Sequence, residues 1–369
     1  MSKTKRHTEP LMHITKRPAI ALWKNLGIRG IGLVLALIVC AIVIYAVTKL
    51  NPLEVYVAMF KGTFGSQTRV WYMLRDTAML LCIAVGLAPA FKMRFWNIGA
   101  EGQVLMGAVA AAACMKYVAP NVPLGLSLVI MFAASAIAGG IWGFIPSVFK
   151  ARWNTNETLF TLMMNYIAIQ ITSFCVSKWE DHYGSNTVGV INQQTHAGWF
   201  PPILGQQYLL NVLIVAVITV CMYLYLKEST HGFERAVVGE STNTARYAAM
   251  NVRKIIIRTV IVSGAICGIA GFIAVAGAGH TISTSTAGGR GFTAIIVAWL
   301  SKFNTFIMTG VSALIVFLQK GAIQIASQFG LNDFVSEMIT GIILFFILGS
   351  EFFINFKVRF RSSRKEIEK

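Results

Sequence analysis

The sequence predicts an all-α polytopic membrane protein, and three observations support that prediction. Hydrophobic residues make up 56% of its 369 residues and charged residues only 13%, whereas a soluble domain carries about 25% charged residues. The mean hydropathy is +0.64. The basic residues behind the net charge of +17 crowd positions 1–29, 227–258 and 357–369. Such clustering is typical of cytoplasmic segments beside anionic lipid headgroups and argues against a nucleic-acid role.

Apolar runs follow one another along the chain and predict about ten transmembrane helices, with both termini in the cytoplasm. Two runs, 76–91 and 291–301, are shorter than the roughly 20 residues that an unbroken transmembrane helix needs. The first contains Pro89, and the second follows Gly288-Gly289. Short, broken helices at comparable places of two halves are typical of inverted repeats. An inverted five-helix repeat is therefore a hypothesis, although the halves share no convincing sequence match. The runs are 28–50, 76–91, 99–118, 124–149, 158–176, 208–226, 255–277, 291–301, 304–326 and 334–356.

The segments between these runs are too short to fold as a soluble domain with its own core. We divide the chain into a basic cytoplasmic N-terminal segment (1–27), a transmembrane domain (28–356) and a basic cytoplasmic tail (357–369). Within the transmembrane domain, residues 177–207 form the longest extracytoplasmic loop. Residues 227–254 form the main cytoplasmic loop.

Cysteines and glycines inside the apolar runs indicate packing. The six cysteines lie singly, and the six histidines are scattered without metal-ligand spacing, so neither a disulfide framework nor a metal site is predicted. Gly139-x-x-x-Gly143 and Gly264-x-x-x-Gly268 permit a close approach of helices. We expect these glycines to pack helices within the chain in preference to joining two chains.

A polar, glycine-containing segment, Phe95–Gln103, separates two apolar runs. Asn97, Glu101 and Gln103 are costly beside lipid, so they must face protein or water, and we expect them to lie on a solute pathway across the membrane. Glu101 could accept hydrogen bonds from solute hydroxyl groups, while Asn97 and Gln103 both donate and accept. A structural alternative stays open for Glu101 and for Asn165. In that alternative, Glu101 holds adjacent helices together through backbone amides.

Three aromatic residues, Phe95, Trp96 and Phe292, lie within or near the same polar stretches. Each could stack on a nucleobase, a contact worth roughly 1–3 kcal/mol. The alternative is that they serve as packing residues or as anchors at the membrane interface.

The cytoplasmic loop contains a second candidate site. Residues Glu240–Met250 have the composition of a helix, with Ser241 or Thr242 as N-cap and Glu240 near the positive helix end. Ala245, Ala248 and Ala249 leave one flank small, and Arg246 and Tyr247 are residue types enriched at interaction hot spots. We predict a docking helix; an amphipathic connector that rests on headgroups is the alternative.

Several motifs, taken together and in order, resemble ABC importer permeases for simple sugars and nucleosides. The Phe95–Gln103 segment is similar to the family's Phe-Asn-Ile-Gly-x-Glu-Gly-Gln motif, with Trp96 as an additional or substituted position. Similarity covers about residues 75–355. Glu157–Ala168 resembles the nucleoside branch that works with a basic-membrane-lipoprotein binding component. The remaining matching stretches are Gly232–Ser241 and Ala245–Val252, which resemble the cytoplasmic coupling loop, and Ser263–Gly271 and Gly289–Ile295.

The resemblance implies a permease subunit that moves nucleosides, or a simple sugar, by alternating access in an ATP-driven importer. The chain has no Gly-x-x-x-x-Gly-Lys-Ser/Thr phosphate loop, so we expect ATP to be hydrolysed by a separate ATPase subunit. The chain itself is then expected to be a transport subunit that is not an enzyme and needs no cofactor. The other implied partners are a second related permease, an extracytoplasmic solute-binding lipoprotein and the cell membrane itself. Predicted substrate-pathway residues are Phe95, Trp96, Asn97, Glu101, Gln103, Asn165 and Phe292; predicted ATPase-coupling residues are Glu240, Ala245, Arg246, Tyr247 and Asn251.

Two further functions stay open. A permease for ribose- or galactose-type sugars has the same motifs. An ion-coupled secondary transporter would need acidic residues within the membrane to carry protons or sodium ions. Glu101 alone provides weak support for such a proton or sodium pathway.

Overall fold

Helices form nearly all of the regular secondary structure in the computed structural model, which describes residues 12–17, 22–182 and 184–360. A 3₁₀ turn at Ala119–Asn121 and a π-helix at Val275–Gly279 complete the helical segments. The helices are α1 (Leu22–Thr48), α2 (Pro52–Phe64), α3 (Gln67–Lys92), α4 (Ala100–Tyr117), α5 (Leu124–Trp153), α6 (Glu157–Trp179), α7 (Leu209–Glu228), α8 (Thr230–Glu240), α9 (Thr242–Tyr247), α10 (Val252–Ala274), α11 (Arg290–Leu300), α12 (Thr305–Phe329) and α13 (Asp333–Asn355).

The predicted all-α polytopic architecture is confirmed. Within the described residues, nine helices are long and apolar enough to cross a membrane, and α11 is a shorter apolar helix. This agrees with the expectation of about ten. The side of the termini and the inverted repeat stay predictions. Most of the basic N-terminal segment (1–11 and 18–21) and residues 361–369 of the tail lie outside the described residues.

The prediction that 76–91 is a short, broken helix is wrong. Helix α3 begins at Gln67, where the Ser66 side chain accepts a hydrogen bond from the Arg69 amide, and it has 26 residues. Its first turns are polar and so lay outside the apolar run, and Pro89 is tolerated near the end. The other short run is confirmed as α11, which has 11 residues.

The chain divides into two compact units, residues 1–65 with 318–369 and residues 66–317. In the first unit α1 packs on α13. This unit also holds two strands that the sequence did not predict, β1 (Met12–Lys16) and β2 (Phe356–Phe360). They pair antiparallel, with Met12 opposite Phe360 and Lys16 opposite Phe356.

The second unit is built around α3 and α10, which are its most buried spans. Glycines let α10 approach its neighbours at backbone distance, and the predicted packing of the two glycine pairs within the chain is confirmed. A Cβ atom on Gly139 of α5 would collide with the Gly264 carbonyl and with Gly268 Cα of α10. A Cβ atom on Gly107 of α4 would collide with the Gly268 backbone. These crossings hold α4, α5 and α10 together.

The second unit has loops at two ends. Helices α8 and α9 lie between the end of α7 and the start of α10, and we call this the α8–α9 end. Loop 177–207 joins the other ends of α6 and α7, and we call this the 177–207 end. There, the Ile191 amide donates to the His280 carbonyl at 2.8 Å, and the Phe200 amide donates to the Ala276 carbonyl at 3.0 Å. These bonds tie the loop to the segment that follows α10.

Candidate transport and coupling site

The polar segment begins where α3 stops in a Schellman motif. The Phe95 amide donates to the Ala90 carbonyl at 3.0 Å, and the Arg94 amide donates to the Phe91 carbonyl at 2.9 Å. Arg94 takes the left-handed conformation, with φ of +59°, at the position where such motifs usually hold glycine. The chain therefore turns sharply and leads into residues 95–99.

This turn directs the chain back between the helices. The Ile98 amide donates to Thr161 Oγ1 at 3.1 Å, and Asn165 Nδ2 donates to the Ile98 carbonyl at 3.0 Å. Thr161 and Asn165 lie four and eight residues into α6, which corresponds to depths of about 6 and 12 Å at 1.5 Å rise per residue. The non-helical backbone therefore lies below the α8–α9 end, and these bonds satisfy the Ile98 backbone groups within the protein, as a membrane-spanning chain requires.

Asn97 and Gln103 bond to each other inside this segment. Asn97 Nδ2 donates to Gln103 Oε1 at 3.2 Å and reaches Ser263 Oγ of α10 at 3.5 Å. Asn97 Oδ1 accepts from the Gly99 amide at 3.0 Å. Both amide side chains are buried. Their polar atoms thus fix the path between α3 and α4 and connect it to α10.

Glu101 lies in the first turn of α4 and caps a different helix. Its Oε1 accepts from the Gly289 amide at 2.7 Å and its Oε2 from the Gly291 amide at 2.8 Å. These groups form the N-terminus of α11, where backbone amides are unpaired and the helix dipole favours an anion. The carboxylate is buried, so the geometry matches the structural alternative for Glu101. Direct contact with solute stays a prediction.

Asn165 has a similar arrangement. Its Oδ1 accepts from the Gly102 amide at 2.8 Å while its Nδ2 donates to the Ile98 carbonyl. The side chain therefore holds the start of α4 against α6. Its predicted contact with solute is also untested by these bonds.

The three predicted aromatic residues differ in exposure. Phe95 is buried, whereas Trp96 and Phe292 keep 43% and 44% of their surface exposed. The Trp96 ring stacks on Trp299 of α11 with centroids 5.2 Å apart. Trp96 and Phe292 are thus the members of this set with surface left for another molecule.

The helix predicted in loop 227–254 exists as α9 but is shorter than expected, and its docking role stays a prediction. Helix α9 has six residues and ends at Tyr247, because Ala249 adopts a φ of +57° and the Met250 amide bonds back to the Ala245 carbonyl. Ser241 is its N-cap, as predicted, and its Oγ accepts from the Thr244 amide at 3.2 Å. The expectation of one helix over Glu240–Met250 is therefore wrong.

Two further residues with a predicted coupling role, Glu240 and Asn251, lie at helix boundaries. Glu240 is the last residue of α8, so it does not lie within the first turn of α9. Asn251 is the N-cap of α10, where its Oδ1 accepts from the Lys254 amide at 3.1 Å.

Helix α9 has one buried residue and an exposed face. Ala245 is fully buried among Met93, Phe95 and Ile255, whereas Tyr247 is 93% exposed and Arg246 is also exposed. The same cluster contains residues from the end of α3 and the start of α10. Helix α9 is therefore packed directly on the turn that leads into the polar segment.

A groove of about 780 Å³ opens beside α9. It lies between the end of α5, α9 and the start of α10, and four cations line it: Lys150, Arg152, Arg246 and Arg253. Lys150 is paired with Glu157 at 2.8 Å. The groove is basic and open, which suits an acidic protein surface.

Comparison with known proteins gives the family. The family described as "Branched-chain amino acid transport system / permease component" matches residues 69–348. The chain belongs to it. This permease is similar to the guanosine ABC transporter permease protein NupP of Bacillus subtilis, with 32% identity over 80% of this chain and 85% of the relative. It is also similar to the glucose ABC transporter permease protein TsgB13 of Haloferax volcanii, with 26% identity over 96% of this chain and 95% of the relative.

A third relative is the nucleoside ABC transporter permease protein NupB of Lactococcus lactis, with 26% identity over 80% of this chain and 84% of the relative. No solved structure matches the permease. Family membership makes it the transport subunit of an ABC importer, with the ATPase in a separate subunit, and it is a multi-pass membrane protein.

Two charged sites in the permease lie outside the sequence-predicted sets. The Asp76 carboxylate lies 3.0 Å from Arg75 and 3.7 Å from Arg290 of α11. Arg235 of α8 is one of the most buried large side chains. Its spacing is a usable signal, because Gly232, Arg235 and Gly239 recur at helical intervals on the buried face of α8.

Proposed function

We propose that this chain is the permease subunit of an ATP-driven importer of nucleosides in the cell membrane. The α8–α9 end faces the cytoplasm and the 177–207 end faces outward. Support for nucleosides comes from the relatives NupP and NupB, whose names specify guanosine and nucleosides, and from the likeness of Glu157–Ala168 to the nucleoside branch.

The observation that carries the proposal is that α9 packs on the protein with one side and exposes the other. Its exposed Arg246 and Tyr247 dock on the ATPase, while Ala245 is held in the cluster with Phe95. Because interiors are close-packed, a displacement of α9 is passed on to its neighbours. The turn at Phe95 leads to the polar segment, and Glu101 joins that segment to α11. ATP-driven movement of α9 therefore shifts both sides of the pathway.

In this proposal the pathway residues have divided roles. Asn97, Gln103, Glu101 and Asn165 shape the wall through their bonds to the backbone and to each other. Trp96, with 43% of its surface exposed, contributes a stacking face for the base, and Phe292 does the same.

The partners follow from the family and its relatives. An ATPase subunit and a solute-binding protein complete the importer, and we propose that the latter is an extracytoplasmic lipoprotein that docks near loop 177–207. A second, related permease forms the other half of the pore. Two proteins named as guanosine ABC transporter permeases in Bacillus subtilis, NupP and NupQ, both resemble this chain.

A sugar is the second candidate substrate. The relative TsgB13, named as a glucose permease, aligns with 96% of this chain, a larger share than either nucleoside relative. Competition for uptake between labelled guanosine and unlabelled glucose or ribose separates the two candidates.

The test of coupling uses Arg246→Ala with Tyr247→Ala in the reconstituted importer. Removing two hot-spot side chains should reduce both ATPase association and ATP-driven uptake by about tenfold or more. Uptake should require ATP and resist an ionophore. The readouts are co-purification of the ATPase and uptake of labelled nucleoside into proteoliposomes.

Lys178→Ala is the control for ATPase association, since Lys178 lies near the end of α6 at the 177–207 end. It should leave co-purification unchanged. If the double variant keeps both association and uptake, α9 is not the docking element. If the ionophore abolishes uptake while ATP is dispensable, the protein is an ion-coupled transporter instead.

A further inference from the structure

One buried cation in α8 lacks the partners that its burial demands. Arg235 is 2% exposed. Its Nε and Nη1 have no hydrogen-bond partner among the described residues, and its Nη2 reaches the Gly232 carbonyl only at 3.5 Å. Buried guanidinium groups are normally paired, because an uncompensated buried charge is strongly destabilising.

Arg235 lines a pocket of about 460 Å³ at the α8–α9 end. Lys92, Arg94 and Lys227 line it as well. Among the described residues, no carboxylate lies within ion-pair distance of Lys92, Arg94 or Arg235, and the neighbouring Glu234 is paired with Arg258. Glu240 also lines the pocket but pairs with none of these cations. Lys227 is paired with Glu228 at 3.4 Å, so Lys92, Arg94 and Arg235 supply the positive charge of this pocket that the described carboxylates do not neutralise.

Burial weakens the charged form of Arg235. Desolvation lowers the pKa of Arg235 to about 10, and the nearby Tyr225 partly opposes this change. The group therefore remains protonated at neutral pH. Its charge is held in place at a cost to folding that a bound anion would remove.

The pocket lies where membrane helices end. Lys92 and Lys227 are in the last turns of α3 and α7, both of which are long enough to span a bilayer. The lining also includes Leu226 and Phe233, and Phe233 is 65% exposed. A cationic pocket with an apolar side at the ends of membrane helices matches the level and chemistry of a lipid headgroup with its acyl chains.

We propose that this pocket binds the phosphate group of an anionic phospholipid. A phosphate offers several oxygens to the donors of Arg235 and of the lysines, and guanidinium is well suited to it. A lipid is favoured over an acidic segment of a partner protein because the pocket lies at the membrane edge and Phe233 is exposed there. The site is separate from the α9 groove, so it does not depend on the docking role of α9.

The test measures thermal unfolding of the purified full-length chain in neutral detergent. Phosphatidylglycerol, phosphatidylcholine or inorganic phosphate is added at matched concentrations. Phosphatidylglycerol should raise the melting temperature of the wild type, and the other two should have little effect. Arg235→Met should weaken phosphatidylglycerol binding about tenfold or more, as expected for the loss of charge-assisted bonds. Lys92→Met should weaken it less.

Lys254→Met is the matched control, since Lys254 is an exposed cation at the same end and lies outside the pocket lining. It should keep the full phosphatidylglycerol response, and Arg235→Lys should keep part of it. A full response in both Arg235→Met and Lys92→Met would overturn the proposal. So would equal stabilisation by inorganic phosphate, which would indicate a soluble anion. Stabilisation of the wild type only by the ATPase subunit, with no response to lipid, would assign the pocket to a protein partner.

Discussion

Glu101 and Arg235 are both buried charges in the same unit, but the protein treats them differently. The Glu101 carboxylate receives two backbone amides at the start of α11. The Arg235 guanidinium has two nitrogens with no partner among the described residues. The first charge is stabilised by hydrogen bonds from residues distant in the sequence. The second is left for a group outside the chain.

This difference separates a structural role from a binding role. Where the fold satisfies a buried ion completely, the ion's main effect is to fix the elements that it joins. Where the fold leaves an ion unpaired in an open pocket, stability is lower than it need be. Such a cost is common at sites whose ligand supplies the missing interaction. Predictions that alter each site in turn test this distinction.

The largest expected effect comes from Gly291→Ala, which would break the contact between Glu101 and α11. A Cβ atom there would lie 2.5 Å from the Glu101 amide nitrogen and 2.7 Å from Oε2. Overpacking together with loss of the cap should cost about 2–6 kcal/mol of unfolding free energy. Chemical unfolding of the purified protein in detergent measures the change.

Gly310→Ala is the control, because Gly310 lies in α12 and a Cβ atom there meets nothing within 4 Å. It should be neutral or stabilise by up to about 1 kcal/mol, since alanine favours helix over glycine. If both variants lost the same amount of stability, the loss in Gly291→Ala could not be attributed to the close contact between α4 and α11.

Smaller changes in unfolding free energy, of opposite sign, are expected when the charge of Glu101 or of Arg235 is removed. Glu101→Gln should destabilise the protein by about 1–3 kcal/mol, because one backbone amide loses its acceptor.

Arg235→Met in neutral detergent should leave the stability unchanged or raise it, because it removes an unpaired charge and keeps an apolar stem. Glu54→Gln changes an exposed acid of α2 and should have almost no effect. A large loss of stability in Arg235→Met would show that the arginine already has its partner within the protein.

The smallest expected effect is a change in the pH dependence of stability, and it concerns His280, whose neutral form is favoured by burial. The ring of His280 stacks on Trp199 with centroids 3.7 Å apart, and both of its ring nitrogens lack partners among the described residues. Burial, with a contribution from His196, lowers the pKa of His280 below its ordinary value of 6.5. Its contribution to stability is therefore complete above pH 6.5 and is lost as the pH falls through the lowered value.

The melting temperature should accordingly drop more between pH 7.5 and 5 in the wild type than in His280→Asn. Asparagine does not titrate and tolerates the left-handed backbone of this position, where φ is +50°. His182→Gln, at a highly exposed site, should retain the wild-type pH response. An unchanged response in His280→Asn would exclude His280 as the sensitive group.

Membrane spans could be predicted because run length and apolarity are local properties. Helices α4 to α7 follow the apolar runs closely. Helix α3 did not, because its first turns, including Gln67 and Arg75, are polar and are held by an N-cap at Ser66 and an ion pair with Asp76. An apolar run marks where a helix is buried in lipid or protein, and it does not mark where the helix begins.

The sequence indicated which polar residues of the candidate site need partners, but it did not indicate the bonds that they make. The sequence indicated that Glu101 needs a partner, but its acceptor bonds join residues about 190 positions away. Such partners depend on helix packing, which no local pattern reveals. The helical spacing of Gly232, Arg235 and Gly239 predicts that Arg235 lies on the buried face of α8. Its positive charge, taken alone, predicts an exposed residue. Helix α9 was shorter than expected because Ala249 takes a left-handed turn that composition does not indicate for alanine.

The ladder between β1 and β2 has a consequence for biosynthesis. Met12 pairs with Phe360, so β1 is synthesised before helices α1 to α13 and β2 only after them. Until the last of these helices has been made, β1 has no pairing partner, and a polypeptide truncated before Phe356 would never acquire one. The ladder therefore closes only after all of the helices between its two strands have been synthesised.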